Sequence, residues 1–124
     1  MSKQLKVLAV DDDMINLKLL KSMLMKAQDV EEVVEAKNGA DAIDILKVRT
    51  DIDVILLDII MPVMGGIEML KVVRADENLN QLPIIVLTTD ETKKSEALEA
   101  GANGFLMKPV RQNEVIAKIE QLLV

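Results

Sequence analysis

The stretch VILLDIIMPVMGG, residues 54–66, decides the fold. Its first four residues are apolar and predict a short strand covered on both faces, as the central strands of parallel sheets are. Residues 67–73 then place apolar side chains at helical spacing, which predicts an amphipathic helix soon after the strand. Asp58 interrupts the apolar run at a position where an apolar residue would pack better. A buried strand that runs into a carboxylate therefore indicates both a parallel sheet and a candidate site.

The same alternation of strand and helix occurs five times, which predicts an α/β protein with parallel strands joined by helical crossovers. The predicted strands are residues 6–10, 32–36, 54–57, 84–87 and 104–107. The first, third and fourth are apolar on both faces, so we expect them in the centre of the sheet. Glu32 and Glu35 in the second strand indicate an edge.

The helices carry apolar stripes in most cases, and the stripe of the first helix ends at Ala27. The fourth helix, residues 92–100, differs from the others. It offers three residues for burial, Ala97, Leu98 and Ala100. We expect it to be weakly anchored although its helix propensity is good. Gly101 is expected to end it.

Composition restricts the chemistry. The chain has 124 residues, 50% of them hydrophobic, and we interpret residues 1–124 as one domain. Cysteine and histidine are absent, which excludes the usual zinc sites and a Ser-His-Asp triad. The net charge of −6 and the single phenylalanine oppose nucleic-acid binding. No apolar run reaches the roughly 18 residues of a membrane span, so a cytoplasmic protein without membrane contact is expected.

Polar side chains follow four of the predicted strands. In open parallel sheets, ligands bind outside the carboxyl ends of the strands, near the point where strand order reverses. The residues predicted to meet there are Asp11, Asp12, Asp13, Asp58, Thr88, Thr89, Asp90, Lys108 and Pro109. Acids, hydroxyls and one lysine are therefore expected at a single edge of the sheet.

Four of these residues also have a purely structural interpretation. Asp13 is expected to cap the first helix, Asp58 to reach solvent, Thr88 to end a strand, and Lys108 to extend into water. One cap needs one aspartate, however, and two adjacent carboxylates repel unless a cation compensates them. Carboxylates about 4 Å apart repel by about 4 kcal/mol at an effective dielectric constant near 20. Oxygen ligands without histidine or cysteine select a hard ion, and we expect Mg²⁺, for which Mn²⁺ could substitute.

Four motifs resemble those of the receiver domain of bacterial two-component response regulators, including the single-domain chemotaxis-type regulators. They are VLAVDDD with Asp11 and Asp12, VILLDIIMPVMGG with Asp58, IIVLTTD with Thr88, and GFLMKP with Lys108. Each motif alone has low specificity, but four in this order, each at a predicted strand end, are highly specific. The resemblance covers nearly the whole chain and implies a three-layer, doubly wound (βα)5 flavodoxin-like fold with strand order 2-1-3-4-5.

The resemblance also implies a function and a set of roles. Asp58 would accept a phosphoryl group from the phosphohistidine of a sensor histidine kinase or a histidine phosphotransfer protein. Asp12, Asp58 and the backbone carbonyl of Ile60 would bind Mg²⁺ directly, and Asp11 would act mainly through bound water. Lys108 and Thr88 would each hold one phosphoryl oxygen. The protein would be a signalling phosphoacceptor that assists its own phosphorylation and dephosphorylation, and not an enzyme acting on other molecules.

Three further observations concern this resemblance, and one of them is a departure from it. Phe105, three residues before Lys108, occupies the position of the switch aromatic, although a lone core phenylalanine is the alternative. Thr89 and Gly65 depart from the residues common at their positions. A cis peptide is expected between Lys108 and Pro109.

The fourth helix, fifth strand and fifth helix would form the surface that contacts an output partner. Its exposed charges, Lys93, Lys94 and Arg111, would set the specificity. The output partner could be another protein or domain, or a second copy of this one. A monomer or a phosphorylation-promoted dimer is expected.

A haloacid-dehalogenase-like phosphohydrolase is the alternative, because Asp11-x-Asp13 after an apolar strand is similar to the start of its motif. Asp11 would then be the nucleophile. The chain is short for that fold with a cap, and the acidic motif expected near its carboxyl terminus is missing.

Overall fold

The computed structural model describes residues 4–123, so residues 1–3 and 124 of the predicted domain lie outside the described part. Five parallel strands form one sheet in the order β2-β1-β3-β4-β5. The strands are β1 Leu5–Val10, β2 Val30–Ala36, β3 Val54–Asp58, β4 Ile84–Thr88 and β5 Gly104–Met107. The helices are α1 Met14–Met25, α2 Gly39–Val48, α3 Gly66–Ala75, α4 Lys94–Glu99 and α5 Gln112–Leu123. The expected doubly wound fold is confirmed.

Two apolar cores lie on opposite faces of the sheet. Helices α2, α3 and α4 pack on one face, and α1 and α5 pack on the other. Alternate residues of each central strand enter the two cores, so that Ile55 and Leu57 face α3 while Val54 and Leu56 face α1 and α5. This double burial explains the continuous apolar runs of β1, β3 and β4.

Two strands extend one residue further at their carboxyl ends than the sequence pattern predicts, and this extension matters for the site. Asp58 pairs with Leu87, and Thr88 pairs with Met107, so both polar residues are the last residues of their strands. The backbone ladder continues because pairing depends on peptide groups and not on side-chain polarity. Their side chains are therefore held by the sheet itself.

Helix α1 begins as expected, with Asp13 as its cap. The Asp13 carboxylate accepts hydrogen bonds from the backbone N–H groups of Ile15 and Asn16, at 2.9 and 3.4 Å. The helix ends at Met25, so Ala27 of the predicted stripe lies after it while still packing against the core.

The fourth helical segment is short and divided. Residues Glu91–Lys93 form a 3₁₀ turn, and α4 has six residues, of which Ala97 is the buried one. The expectation that Leu98 is available for burial was wrong, because its side chain is 43% exposed. Gly101 ends the segment with φ of +111°, a conformation that favours glycine. Weak anchoring of this helix is therefore confirmed by its packing.

No helix within residues 4–123 is long and apolar enough to cross a membrane.

Candidate metal centre at the carboxyl edge of the sheet

The sheet brings the predicted site residues together at its carboxyl edge. Asp11 directly follows β1, Asp58 ends β3, and Lys108 directly follows β5. Asp11, Asp12 and Asp58 each offer a carboxylate oxygen, and these oxygens lie within 4.8 Å of one another. Strand order places β1 beside β3, which explains why residues 47 positions apart in the chain meet here.

Asp11 is the most enclosed member of the cluster, with 6% of its surface exposed. One oxygen accepts the backbone N–H of Asp13 at 3.0 Å, and the other accepts the Lys108 ammonium at 2.9 Å. Its own N–H donates to the carbonyl of Ala36 at 3.1 Å, which fixes the backbone at the end of β1. Asp12 is exposed, so the adjacent pair divides into one held carboxylate and one open to solvent.

Lys108 points into the cluster. Its ammonium lies 2.9 Å from Asp11 and 3.4 Å from Asp58, and its side chain is only 21% exposed. The interpretation of a lysine extending into water is therefore wrong. Its backbone N–H donates to the carbonyl of Thr88 at 2.8 Å, and the following peptide bond to Pro109 is cis, as the resemblance implied.

The electrostatics of the cluster favour an additional cation. Burial raises the pKa of Asp58, and the Lys108 charge, which acts in the opposite sense, does not cancel that effect; the Asp11 charge raises the pKa further. Burial tends to lower the pKa of Lys108, but the hydrogen bond to Asp11 and the charge of Asp58 outweigh it and raise that pKa. The lysine stays protonated while the carboxylates remain incompletely compensated.

The donor set fits a hard divalent ion. Three carboxylates supply oxygen atoms, and no nitrogen or sulfur ligand competes, since the sequence has neither histidine nor cysteine. Ile60 lies in the loop two residues after Asp58, with its side chain 63% exposed. Asp11, Asp12 and Asp58 are thus the residues whose oxygen atoms could hold Mg²⁺, and the role of the Ile60 carbonyl stays a prediction.

Thr88 and Phe105 lie on the face of the sheet that α4 covers. Thr88 is 1% exposed, and its hydroxyl accepts the backbone N–H of Asp90 at 3.2 Å. Phe105 pairs with Val86 and packs against the same core as Ala97 of α4. Since Val86 and Thr88 are two apart on β4, both side chains face α4.

The loop between β3 and α3 contains two features that the sequence analysis missed. A Cβ atom on Gly66 would lie 2.4 Å from the carbonyl oxygen of Asp58, so only glycine lets the loop pack this closely on the strand end. Val63 has φ of +67°, an unfavourable backbone conformation for a β-branched residue. The glycine pair was a readable signal, whereas a valine gives no sign of a left-handed turn. Gly65 caps α3 without a side-chain hydrogen bond.

This fold with an acidic cluster and an inward lysine defines a class of protein. Residues 7–120 match the model of the response regulator receiver domain, and the chain belongs to that family. The predicted resemblance is therefore confirmed. Receiver domains of response regulators are phosphorylated by histidine kinases, act on output partners and generally use Mg²⁺.

Particular relatives are similar along nearly the whole chain. The chemotaxis protein CheY homolog of Campylobacter jejuni is 35% identical over 121 residues, which cover 96% of this chain and 92% of the relative. The structure of a putative response regulator from Chloroflexus aurantiacus superposes with a TM-score of 0.90, at 31% identity and 98% coverage of both chains. The structure of CheY4 of Vibrio cholerae gives a TM-score of 0.87 at 34% identity, covering 97% of this chain and 99% of that one.

These similarities identify CheY-like signalling by a response regulator receiver and are consistent with a non-enzymatic switch. The alternative of a haloacid-dehalogenase-like phosphohydrolase is not favoured.

Proposed function

We propose that this chain is a phosphorylation-dependent signalling switch that accepts a phosphoryl group on Asp58. The donor is the phosphohistidine of a sensor histidine kinase or of a histidine phosphotransfer protein. The observation that carries this proposal is the position of Asp58 at the end of a buried strand, with the Lys108 ammonium 3.4 Å away and two further carboxylates beside it. Such crowding is costly to a fold and is typical of functional sites.

The proposed transfer is an in-line displacement at phosphorus. An oxygen of Asp58 forms a bond to phosphorus while the bond to the donor nitrogen breaks, and the electron pair leaves with the imidazole. Lys108, already in place, holds one phosphoryl oxygen as charge develops on it, and the Thr88 hydroxyl reaches another when it moves toward the phosphoryl group.

Mg²⁺ would be held directly by Asp12, Asp58 and the carbonyl of Ile60, with Asp11 acting through bound water. When bound, the ion neutralises carboxylate and phosphoryl charge, and Mn²⁺ can substitute for it. Because Asp11 already accepts hydrogen bonds from Lys108 and from the N–H of Asp13, it also orients the lysine. The chain assists its own phosphorylation and dephosphorylation in this way.

The switch is proposed to run from Thr88 to the surface of α4, β5 and α5. Thr88 moves toward the phosphoryl group, and Phe105 on the same face of the sheet fills the vacated space. Helix α4 can then shift, because Ala97 is the one residue of this helix that is buried and anchoring is therefore weak. Lys93, Lys94 and Arg111 contribute charge to this surface and set partner specificity. The partner is an output protein or domain, or a second copy that gives a phosphorylation-promoted dimer.

Residues 1–124 are proposed to form one receiver domain of a cytoplasmic protein that binds neither nucleic acid nor membrane through this domain. The net charge of −6 supports the expectation about nucleic acid.

Site mapping tests the acceptor. The protein is incubated with acetyl phosphate and Mg²⁺, and the aspartyl phosphate is trapped and located by peptide mass spectrometry. We expect the modification on Asp58 and none in Asp58→Asn. Modification of Asp11 would contradict the proposal and favour the hydrolase.

Amide chemical shifts recorded with and without beryllofluoride test the switch. We expect changes at Thr88, at Phe105 and along α4. Changes confined to the loops that carry the aspartates would eliminate this route to the output surface.

A further inference from the structure

A cavity of about 390 Å³ opens beside the carboxylate cluster on the α1 side of the sheet. Asp58 and Lys108, which react with or hold the phosphoryl group in the proposed function, line it. Most of the remaining wall is hydrocarbon. The apolar side chains that form this wall are Leu19, Leu20, Met23, Leu87 and Val110.

The apolar wall comes mainly from two segments on either side of the cavity, with Leu87 of β4 between them in the chain. Helix α1 supplies one side, and the residues after the cis peptide at Pro109 supply the other. Gln112 donates a hydrogen bond to the carbonyl of Met23 at 2.9 Å, which ties α1 to the start of α5. Leu19 is 63% exposed although it lines the cavity, so hydrocarbon surface remains available to a ligand.

We propose that this cavity binds the apolar acyl chain of small acyl phosphates, so that Asp58 accepts phosphoryl groups from acyl phosphates with a chain of about four carbons, such as butyryl phosphate, in preference to acetyl phosphate. The inference rests on the proposed role of Asp58. In the reaction, an Asp58 oxygen forms a bond to phosphorus, the bond from phosphorus to the acyl oxygen breaks, and the electron pair leaves with the carboxylate. No proton, oxidant or reductant is needed.

The chemistry of the two parts of the cavity selects this ligand class. The part of the cavity with the lysine and the metal-binding carboxylates suits a phosphoryl group. The adjoining hydrocarbon wall favours an acyl chain without polar atoms. A donor with a charged chain would lose hydration against Leu19 and Val110, which offer no polar atom in their side chains. Leu19, Met23 and Val110 are therefore specificity-determining residues for the leaving group.

The size of the effect follows from the burial of methylene groups. Each methylene removed from water improves binding about fourfold, so butyryl phosphate, with two more methylenes than acetyl phosphate, gains up to about fifteenfold. The chain is bound equally before and during transfer, so KM falls while kcat stays constant. The two leaving groups, acetate and butyrate, have similar basicity, so the two donors have similar intrinsic reactivity.

The experiment measures KM and kcat for the phosphorylation of Asp58 by acetyl phosphate and butyryl phosphate in the presence of Mg²⁺. Two substitutions on the same helix are compared, Leu19→Ser at the cavity and Ile15→Ser as the matched control. Ile15 is 70% exposed and does not line the cavity, so both variants alter exposed positions. We expect the advantage of butyryl phosphate to be lost in Leu19→Ser and kept in Ile15→Ser.

A binding measurement without turnover supplies a second readout. Butylphosphonate, which cannot transfer its phosphoryl group, should shift the amide signals of Leu19, Met23 and Val110 more than methylphosphonate does. Equal shifts, or shifts at Ile15 alone, would overturn the proposed cavity.

The outcomes separate this inference from the function on which it rests. Equal KM values for the two donors, or an advantage that survives Leu19→Ser, overturn the cavity proposal while acetyl phosphate still labels Asp58. Absence of label from both donors overturns the assignment of Asp58 and the cavity proposal together.

Discussion

Charged side chains gather at both ends of the sheet, but cations compensate a larger share of the acids at the amino end than at the carboxyl end. At the amino end, Arg49 forms hydrogen bonds with Glu32 at 2.8 Å and Asp51 at 2.9 Å. Lys6 lies 3.2 Å from Glu31 and 3.6 Å from Asp51, so among residues 4–123 two cations meet three carboxylates in this cluster. At the carboxyl end, in the part of the chain that the structure describes, one lysine meets three aspartates.

Burial deepens the contrast between these two clusters. The side chains of the amino-end cluster are 30 to 45% exposed, so water screens them and they add little to stability. The side chains of Asp11, Asp58 and Lys108 are 8, 12 and 21% exposed. The comparison shows that the number of charges alone does not identify a functional site. Carboxylate charge that is both buried and incompletely compensated by cations does.

Removing the cation of the carboxyl-end cluster should give the largest effect. Lys108→Met leaves the carboxylates of Asp11 and Asp58 buried without a cation beside them, and we expect a loss of about 3 kcal/mol in the free energy of unfolding. Urea unfolding at neutral pH in chelator measures it. Lys93→Met is the matched control, because Lys93 has only a weak 3.9 Å contact with Glu96. Equal losses in both variants would remove the distinction between the clusters.

Removing a carboxylate should stabilise the metal-free protein. Burial raises the pKa of Asp58, so its contribution to stability is greatest below the ordinary carboxyl pKa and declines as pH rises through the raised value. Asp58→Asn avoids that decline, and we expect a gain of about 1–2 kcal/mol at pH 7 in chelator. Asp12→Asn should gain less because Asp12 is exposed. Thermal unfolding at several pH values checks this.

Asp11→Asn should have the opposite effect within the same cluster. It weakens the bond to Lys108 and the hydrogen bond from the N–H of Asp13. If all three asparagine variants changed stability in one direction, the cluster would not contain the division of roles described above.

Backbone strain should also be confined to the carboxyl end. Val63→Asn places a residue that tolerates the left-handed region where φ is +67°, and we expect a gain of about 1 kcal/mol. Val48→Asn is the control, since Val48 is similarly exposed but helical. Denaturant unfolding compares the two, and no gain at Val63 would show that the loop is unstrained.

The smallest effect is expected at the amino end. The hydrogen bond from Arg49 lowers the pKa of Asp51 to about 2 and also lowers the pKa of Glu32. The contribution of these two carboxylates to stability is present above the ordinary carboxyl pKa and is lost as pH falls through the lowered pKa values. Arg49→Gln should therefore unfold at a slightly higher pH in acid titration and be almost unchanged at pH 7. A large loss at pH 7 would contradict the screened character of this cluster.

The sequence pattern predicts the sheet because burial on two faces requires apolar runs, as in residues 54–57. It also predicts the site, since parallel strands bring their carboxyl ends to one edge and Asp11, Asp58 and Lys108 follow from that. It does not predict the inward direction of Lys108 or the left-handed turn at Val63. Those depend on contacts between segments far apart in the chain, as does the ion pair of Arg49 with Glu32, which lies 17 residues away.

The most direct test of the central claim is phosphoryl incorporation with and without the metal. Intact-mass spectra are recorded after incubation with acetyl phosphate, once in Mg²⁺ and once in excess chelator, for the natural protein and for Asp51→Asn and Asp58→Asn. The account predicts one phosphoryl group in Mg²⁺ for the natural protein and for Asp51→Asn, and none in chelator or in Asp58→Asn. Full incorporation in chelator, or unchanged incorporation in Asp58→Asn, would contradict it.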